Sequence, residues 1–169
     1  TTPSSGIKLG GINLNTSRVD NYGAISSTDT QPNGPSALQF TKGGIVYNYA
    51  GATISGGSDG VHTDGGSIAV YNYGTITTQT QSGIYSGQGA LITNYEGGAV
   101  SGRYGINSNG PKDMVIVNYG TITGTTNAIA LTGGGQDSVI NAASGVIRGQ
   151  SNAVAIQMQG RDANNRLLN

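Results

Sequence analysis

Aliphatic residues in this chain recur at intervals far longer than a helical turn or a strand repeat. Val19, Val46, Val70, Ile92, Ile116, Val139 and Leu167 each stand two positions before an asparagine, namely Asn21, Asn48, Asn72, Asn94, Asn118, Asn141 and Asn169. The first six asparagines are separated by 27, 24, 22, 24 and 23 positions. Around them runs one motif, written most plainly as Val19-Asp20-Asn21-Tyr22-Gly23-Ala24-Ile25, Val70-Tyr71-Asn72-Tyr73-Gly74-Thr75-Ile76 and Ile116-Val117-Asn118-Tyr119-Gly120-Thr121-Ile122. Three further copies, Val46 to Ile54, Ile92 to Val100 and Val139 to Ile147, carry a longer turn. Apolar residues at helical spacing are absent, so the repeat predicts strands.

Each repeat divides into three short apolar pieces separated by Gly, Asn and Ser, as turns require. The first ends in the asparagine. The second centres on a Thr-Ile-Thr unit or a relative, such as Thr53-Ile54-Ser55. The third is seen in Ala37-Leu38-Gln39-Phe40, Gly60-Val61-His62-Thr63, Gly83-Ile84-Tyr85-Ser86, Gly105-Ile106-Asn107-Ser108, Ala128-Ile129-Ala130-Leu131 and Ala153-Val154-Ala155-Ile156.

Strand parity tests the idea, because alternate residues of a strand face opposite sides. The second-piece aliphatic lies four positions after asparagine in the short turns (Ile25, Ile76, Ile122) and six in the long ones (Ile54, Val100, Ile147). The insertion is two residues each time, which keeps one face buried; a single-residue insertion would flip it. One such repeat cannot bury its own apolar side, whereas stacked repeats can. The pattern therefore predicts an all-β, right-handed parallel β-helix of six to seven coils, 22–27 residues each, with three short strands per coil. Stacking places the asparagines in an inward ladder whose amides satisfy backbone groups of the turns.

Composition narrows the class. Charged residues are 9% of the chain and Gly accounts for 30 of 169 residues, values far from an ordinary globular domain. Eight acidic residues balance eight basic ones, which gives no electrostatic case for nucleic acid or an anionic membrane. The chain has no cysteine, so disulfides and thiolate metal sites are excluded. No apolar run exceeds the four residues of Met114-Val115-Ile116-Val117, too short to span a bilayer, and Thr1-Thr2-Pro3-Ser4-Ser5 is no signal peptide.

The unit Asn118-Tyr119-Gly120-Thr121-Ile122-Thr123-Gly124, with Gly105-Ile106-Asn107-Ser108 and Asp137-Ser138-Val139-Ile140-Asn141, resembles the passenger domains of type V autotransporters over nearly all of residues 6 to 169. The resemblance implies a solenoid carried to the outer surface of a Gram-negative bacterium, with residues 1–169 a single segment of a longer passenger. It also implies secretion, with the segment attached to the outer membrane or released. The expected function is non-enzymatic: adhesion to a host-cell glycan or protein, or association with another copy of itself. Alternatives are a passive stalk and a tailspike-like solenoid that binds or cleaves polysaccharide. No cofactor, metal or catalytic residue is expected.

The candidate binding stripe is aromatic. Parity turns Tyr22, Tyr49, Tyr73, Tyr95 and Tyr119 outward beside Tyr47 and Tyr71, and exposed ring faces would suit sugar rings and protein hot spots. High strand propensity and stacking between neighbours explain the same residues structurally. Other groups are weaker. The Thr and Ser positions of the second piece form an array broken by Ala24, Ala99, Val146 and Arg148, consistent with ordinary strand propensity. Asp59, His62 and Asp64 could serve acid–base chemistry but read more simply as solvated turn residues. Gly133-Gly134-Gly135-Gln136-Asp137 lacks the period of a calcium solenoid, and Asp113 and Asp137 are expected to cap their own turns.

Overall fold

The computed structural model describes residues 7–9, 17–28, 34–159 and 164–169. Thr1 to Ser5 lie outside them. Every regular element among the described residues is a β-strand, and every strand pairing is parallel. The protein is a parallel β-solenoid of about six turns.

The first pieces build a seven-stranded sheet from β2 (Ser17–Asn21), β5 (Gly44–Asn48), β8 (Ile68–Asn72), β11 (Ala90–Asn94), β13 (Met114–Asn118), β15 (Ser138–Asn141) and β18 (Arg166–Leu168), stacked in that order. The second and third pieces share an eleven-stranded sheet. Its second-piece strands are β3 (Ala24–Ser26), β6 (Thr53–Gly56), β9 (Thr75–Thr78) and β16 (Val146–Gly149); its third-piece strands are β1 (Ile7–Leu9), β4 (Leu38–Phe40), β7 (Val61–Thr63), β10 (Ser82–Ser86) and β17 (Val154–Met158). In two coils the pieces merge into one bent strand, β12 (Ala99–Ser108) and β14 (Thr121–Leu131). There the connection is short, as in Gly102-Arg103-Tyr104-Gly105, and the chain turns within the strand instead of looping out; the register shifts between Gly102 and Tyr104. This departs from three separate strands per coil, and only where no residues are available for an excursion.

Register follows the asparagine spacing. Val19, Val46, Val70, Ile92, Ile116, Val139 and Leu167 are mutual partners along the first column. Ile25, Ile54, Ile76, Val100, Ile122 and Ile147 are partners along the second. The inward alternation is plain in β5, β8 and β13, where every second residue is buried. Ile54, Ile76, Ile92, Ile116 and Ile122 are fully enclosed, each contributing about 1.5–3 kcal/mol by leaving water.

The two-residue insertions are closed β-turns. The Ala52 amide donates to the Tyr49 carbonyl at 2.9 Å and the Gly98 amide to that of Tyr95 at 2.8 Å. Gly51 and Gly97 take φ of 79° and 80° at the third turn position, a conformation that favours glycine. Adding one compact turn costs no parity.

One third-piece alignment is corrected. Ile156, not Val154, pairs with Ile129, and Val154 pairs with Asn127 and is 54% exposed. A turn at Gln150–Ala153, closed by the Ala153 amide on the Gln150 carbonyl, takes up two residues ahead of the strand. The aspartates also act differently from expectation. The Met114 amide donates to Asp137 Oδ1 at 2.9 Å and the Gln136 amide to Asp113 Oδ1 at 2.7 Å, so each carboxylate ties the backbone of an adjacent coil and not its own turn.

Candidate functional site

The motif dipeptide Asn-Tyr places two side chains on opposite sides of the wall. The asparagines face in. Asn21 donates through Nδ2 to Asn48 Oδ1 at 2.8 Å, and the same bond repeats from Asn48 to Asn72, Asn72 to Asn94, Asn94 to Asn118, Asn118 to Asn141 and Asn141 to Asn169 at 2.8–2.9 Å. Each of the first six Nδ2 groups also donates to a turn carbonyl, for example Asn94 to Gly98 and Thr121, and Asn118 to Gly120 and Val146. Asn48, Asn72, Asn94 and Asn118 have no solvent exposure, and no buried side-chain nitrogen or oxygen among the described residues lacks a partner.

The tyrosines face out and lie on one another. Tyr22 and Tyr49 stack with centroids 4.2 Å apart, Tyr49 and Tyr73 at 6.5 Å, Tyr73 and Tyr95 at 4.0 Å, and Tyr95 and Tyr119 at 6.3 Å, with planes within 12° throughout. Tyr47 and Tyr71 extend the array sideways, 4.8 Å apart, with Tyr47 6.2 Å from Tyr49. The alternation of close and wide gaps has a local cause. Short and long turns alternate along the coils, and each close pair runs from a short-turn coil to the following long-turn one. Stacking turns the ring faces toward neighbouring rings, so a partner meets mainly ring edges and hydroxyls; Tyr22, at 73% exposure, is the most open.

The N-terminal end of the stripe is charged. Arg18 grips Asp20 through Nε at 2.7 Å and Nη2 at 2.9 Å, and lies 4.6 Å above the Tyr47 ring. The Tyr49 hydroxyl donates to Asp20 at 3.2 Å. The neighbouring Tyr22 hydroxyl, then desolvation and Asp20, push the Tyr49 phenol up to about 12, and the Tyr73 hydroxyl raises that of Tyr95. Both phenols stay neutral near neutral pH; the Tyr49 proton is already given to Asp20, so that oxygen is left as an acceptor.

No protein-family model, curated protein or solved structure matches this chain.

A second group of side chains converges on the other sheet. Asp59 lies at 6% exposure in the tight turn Gly56-Gly57-Ser58-Asp59-Gly60, where a methyl on Gly56 would collide with the Asp59 carbonyl. Its Oδ2 meets His62 Nδ1 at 2.8 Å, and its Oδ1 accepts the Ser82 amide of the next coil at 2.8 Å. Asp64 holds the other ring nitrogen at 3.0 Å. Asp59 is therefore a buried structural carboxylate, against the expectation of a solvated turn residue; only Asp64 is largely exposed. Burial lowers the His62 pKa, but the hydrogen bonds and charges of Asp59 and Asp64 outweigh it and raise it overall. His62 also stacks on Tyr85 at 4.7 Å. The sequence groups Asp59, His62 and Asp64 around one strand, but spacing alone does not reveal the burial of Asp59; the glycines bracketing it are the one signal of a tight inward turn.

The remaining candidates stay apart. The Thr/Ser array pairs in register, with Ser101 donating to Thr77 at 3.0 Å, but Ala99 interrupts it between Thr75 and Thr121. Among the described residues no group of three His, Asp or Glu is arranged to hold a metal ion.

Proposed function

We propose that this solenoid is a passenger segment of a type V autotransporter, shown on a bacterial surface, and that it acts without catalysis in adhesion or self-association. The observation that carries this reading is the tyrosine stripe: seven aligned phenols on one side of a rod whose interior is already satisfied. A wall of ring edges and hydroxyls, pre-ordered by stacking, loses little side-chain entropy when a partner docks. Tyrosine is also among the residues that dominate protein interfaces. Low charge density leaves desolvation of that wall inexpensive.

The chemistry argues against an acid–base enzyme at His62, because both ring nitrogens and both Asp59 oxygens are already occupied. The test is attachment of protein-coated beads to epithelial monolayers and to one another. Replacing Tyr49, Tyr73 and Tyr95 together with Phe keeps the stack and removes the hydroxyls; attachment should fall about tenfold, the cost of roughly one net hydrogen bond to a partner. Undiminished attachment by both the triple Phe and a triple Ser variant would leave the rod a spacer.

A further inference from the structure

The outward positions of the third column form a row independent of the tyrosine stripe. Gln39, His62, Tyr85 and Asn107 are register partners on four successive coils. On one side Gln39 is in register with Lys8; on the other the row passes to Ala130, whose methyl offers no hydrogen bond and separates these four from Gln157 on the coil after it. A cleft of about 420 Å³ opens over the four side chains, walled by the turns that carry Asp59 and Gln81. That volume falls within the range of small-ligand sites.

What the cleft offers is mostly amide. Asp59 and the His62 ring spend their polar atoms on each other, on Asp64 and on the Ser82 amide. Tyr85 donates its hydroxyl to Asn109 at 2.8 Å, leaving that oxygen as an acceptor. The side chains of Gln39, Gln81 and Asn107 make no hydrogen bond with the described residues inside the cleft. Each primary amide carries two donors and an acceptor, the complement of a hydroxyl group that both gives and takes. The Asp59–His62–Asp64 cluster holds two carboxylates against one imidazole, which disfavours an anion. Successive coils repeat the row at about 4.8 Å, so matching groups recur along the axis.

We propose that this cleft binds a neutral, polyhydroxylated ligand, a glycan segment laid along the solenoid axis across Gln39, His62, Tyr85 and Asn107. His62 is the floor of the site: clamped by its two carboxylates and stacked on Tyr85, it fixes the row without offering a reactive atom. The site therefore binds and does not cleave.

The experiment applies the purified 169-residue chain to an array of neutral hexasaccharides (gluco-, manno-, galacto- and N-acetylglucosamine types) and of hexuronate counterparts, then measures Kd by calorimetry for the best neutral binder. Binding of a neutral oligosaccharide, weakened about tenfold by Gln39→Ala and again by Asn107→Ala, is the expected result. Both residues are half-buried surface positions, and unchanged circular dichroism checks that each variant folds. The triple Phe variant of Tyr49, Tyr73 and Tyr95 should bind the same sugar with wild-type affinity, so the cleft and the stripe succeed or fail separately. Preference for the hexuronates, binding indifferent to both alanine variants, release of shorter sugars, or no binding across the array would each overturn the proposal.

Discussion

Asparagine and tyrosine are neighbours in the motif, yet the two ladders they build work by different physics. The inner one is made of directional bonds in a dry wall: Asn94 takes a bond from Asn72, gives one to Asn118 and holds the Gly98 and Thr121 carbonyls, with no solvent exposure. The outer one is made of contacts whose geometry is loose enough to alternate between 4.0 Å and 6.5 Å without harm. Water can replace what the tyrosines lose, whereas nothing can replace what an asparagine loses. The inner ladder is therefore the stability element and the outer one is available for other use.

The sharpest way to break this contrast is Asn94→Ala. It orphans buried partners on three coils and should lower stability by about 4 kcal/mol, read from the midpoint of urea unfolding. Asn94→Asp should also destabilise, since a carboxylate has no donor for the next rung. Next in size is Gly74→Ala at the bend beside Asn72, where a methyl would meet the carbonyls of Ala52 and Tyr49; a loss of about 2 kcal/mol is expected. The triple Ser variant of Tyr49, Tyr73 and Tyr95 should lower the melting temperature by only a few degrees, and the triple Phe variant should hardly move it. A tyrosine effect equal to that of Asn94→Ala would erase the distinction.

The smallest effect belongs to His62, the only histidine in the chain. Its pKa is raised in the folded protein, so its contribution to stability is complete below its unfolded value of about 6.5 and is lost as pH rises through the higher folded value. The loss should stay under about 1 kcal/mol, because the Asp64 side is solvated. His62→Gln should flatten the stability–pH curve above pH 6.5; an unchanged slope would show that the two carboxylates do not hold the ring.

The coil register was legible in the sequence because it depends on parity, and parity survives any insertion of two. Val19 through Leu167 and Ile25 through Ile147 align on this ground alone. Val154 shows where the reasoning stops: its own segment alternates correctly, but the turn before it absorbs two residues, and either frame satisfies the pattern. The Asp59–His62 contact was hidden for a related reason. It depends on how tightly one glycine-bracketed turn folds back, which the coil period does not encode. The stacking of tyrosine faces follows from rung spacing, but the alternating gaps follow the length of the turn beside each tyrosine, which the rung spacing does not carry.

The six amide-to-amide bonds all point the same way, from each coil to the one after it. Reversing any one side chain would set NH2 against NH2 on one side and oxygen against oxygen on the other, and would release its turn carbonyls as well. No coil can therefore choose its amide orientation independently. The rod behaves as a one-way register in which the first asparagine to lock dictates the setting of all that follow, a copying rule written in hydrogen atoms instead of sequence.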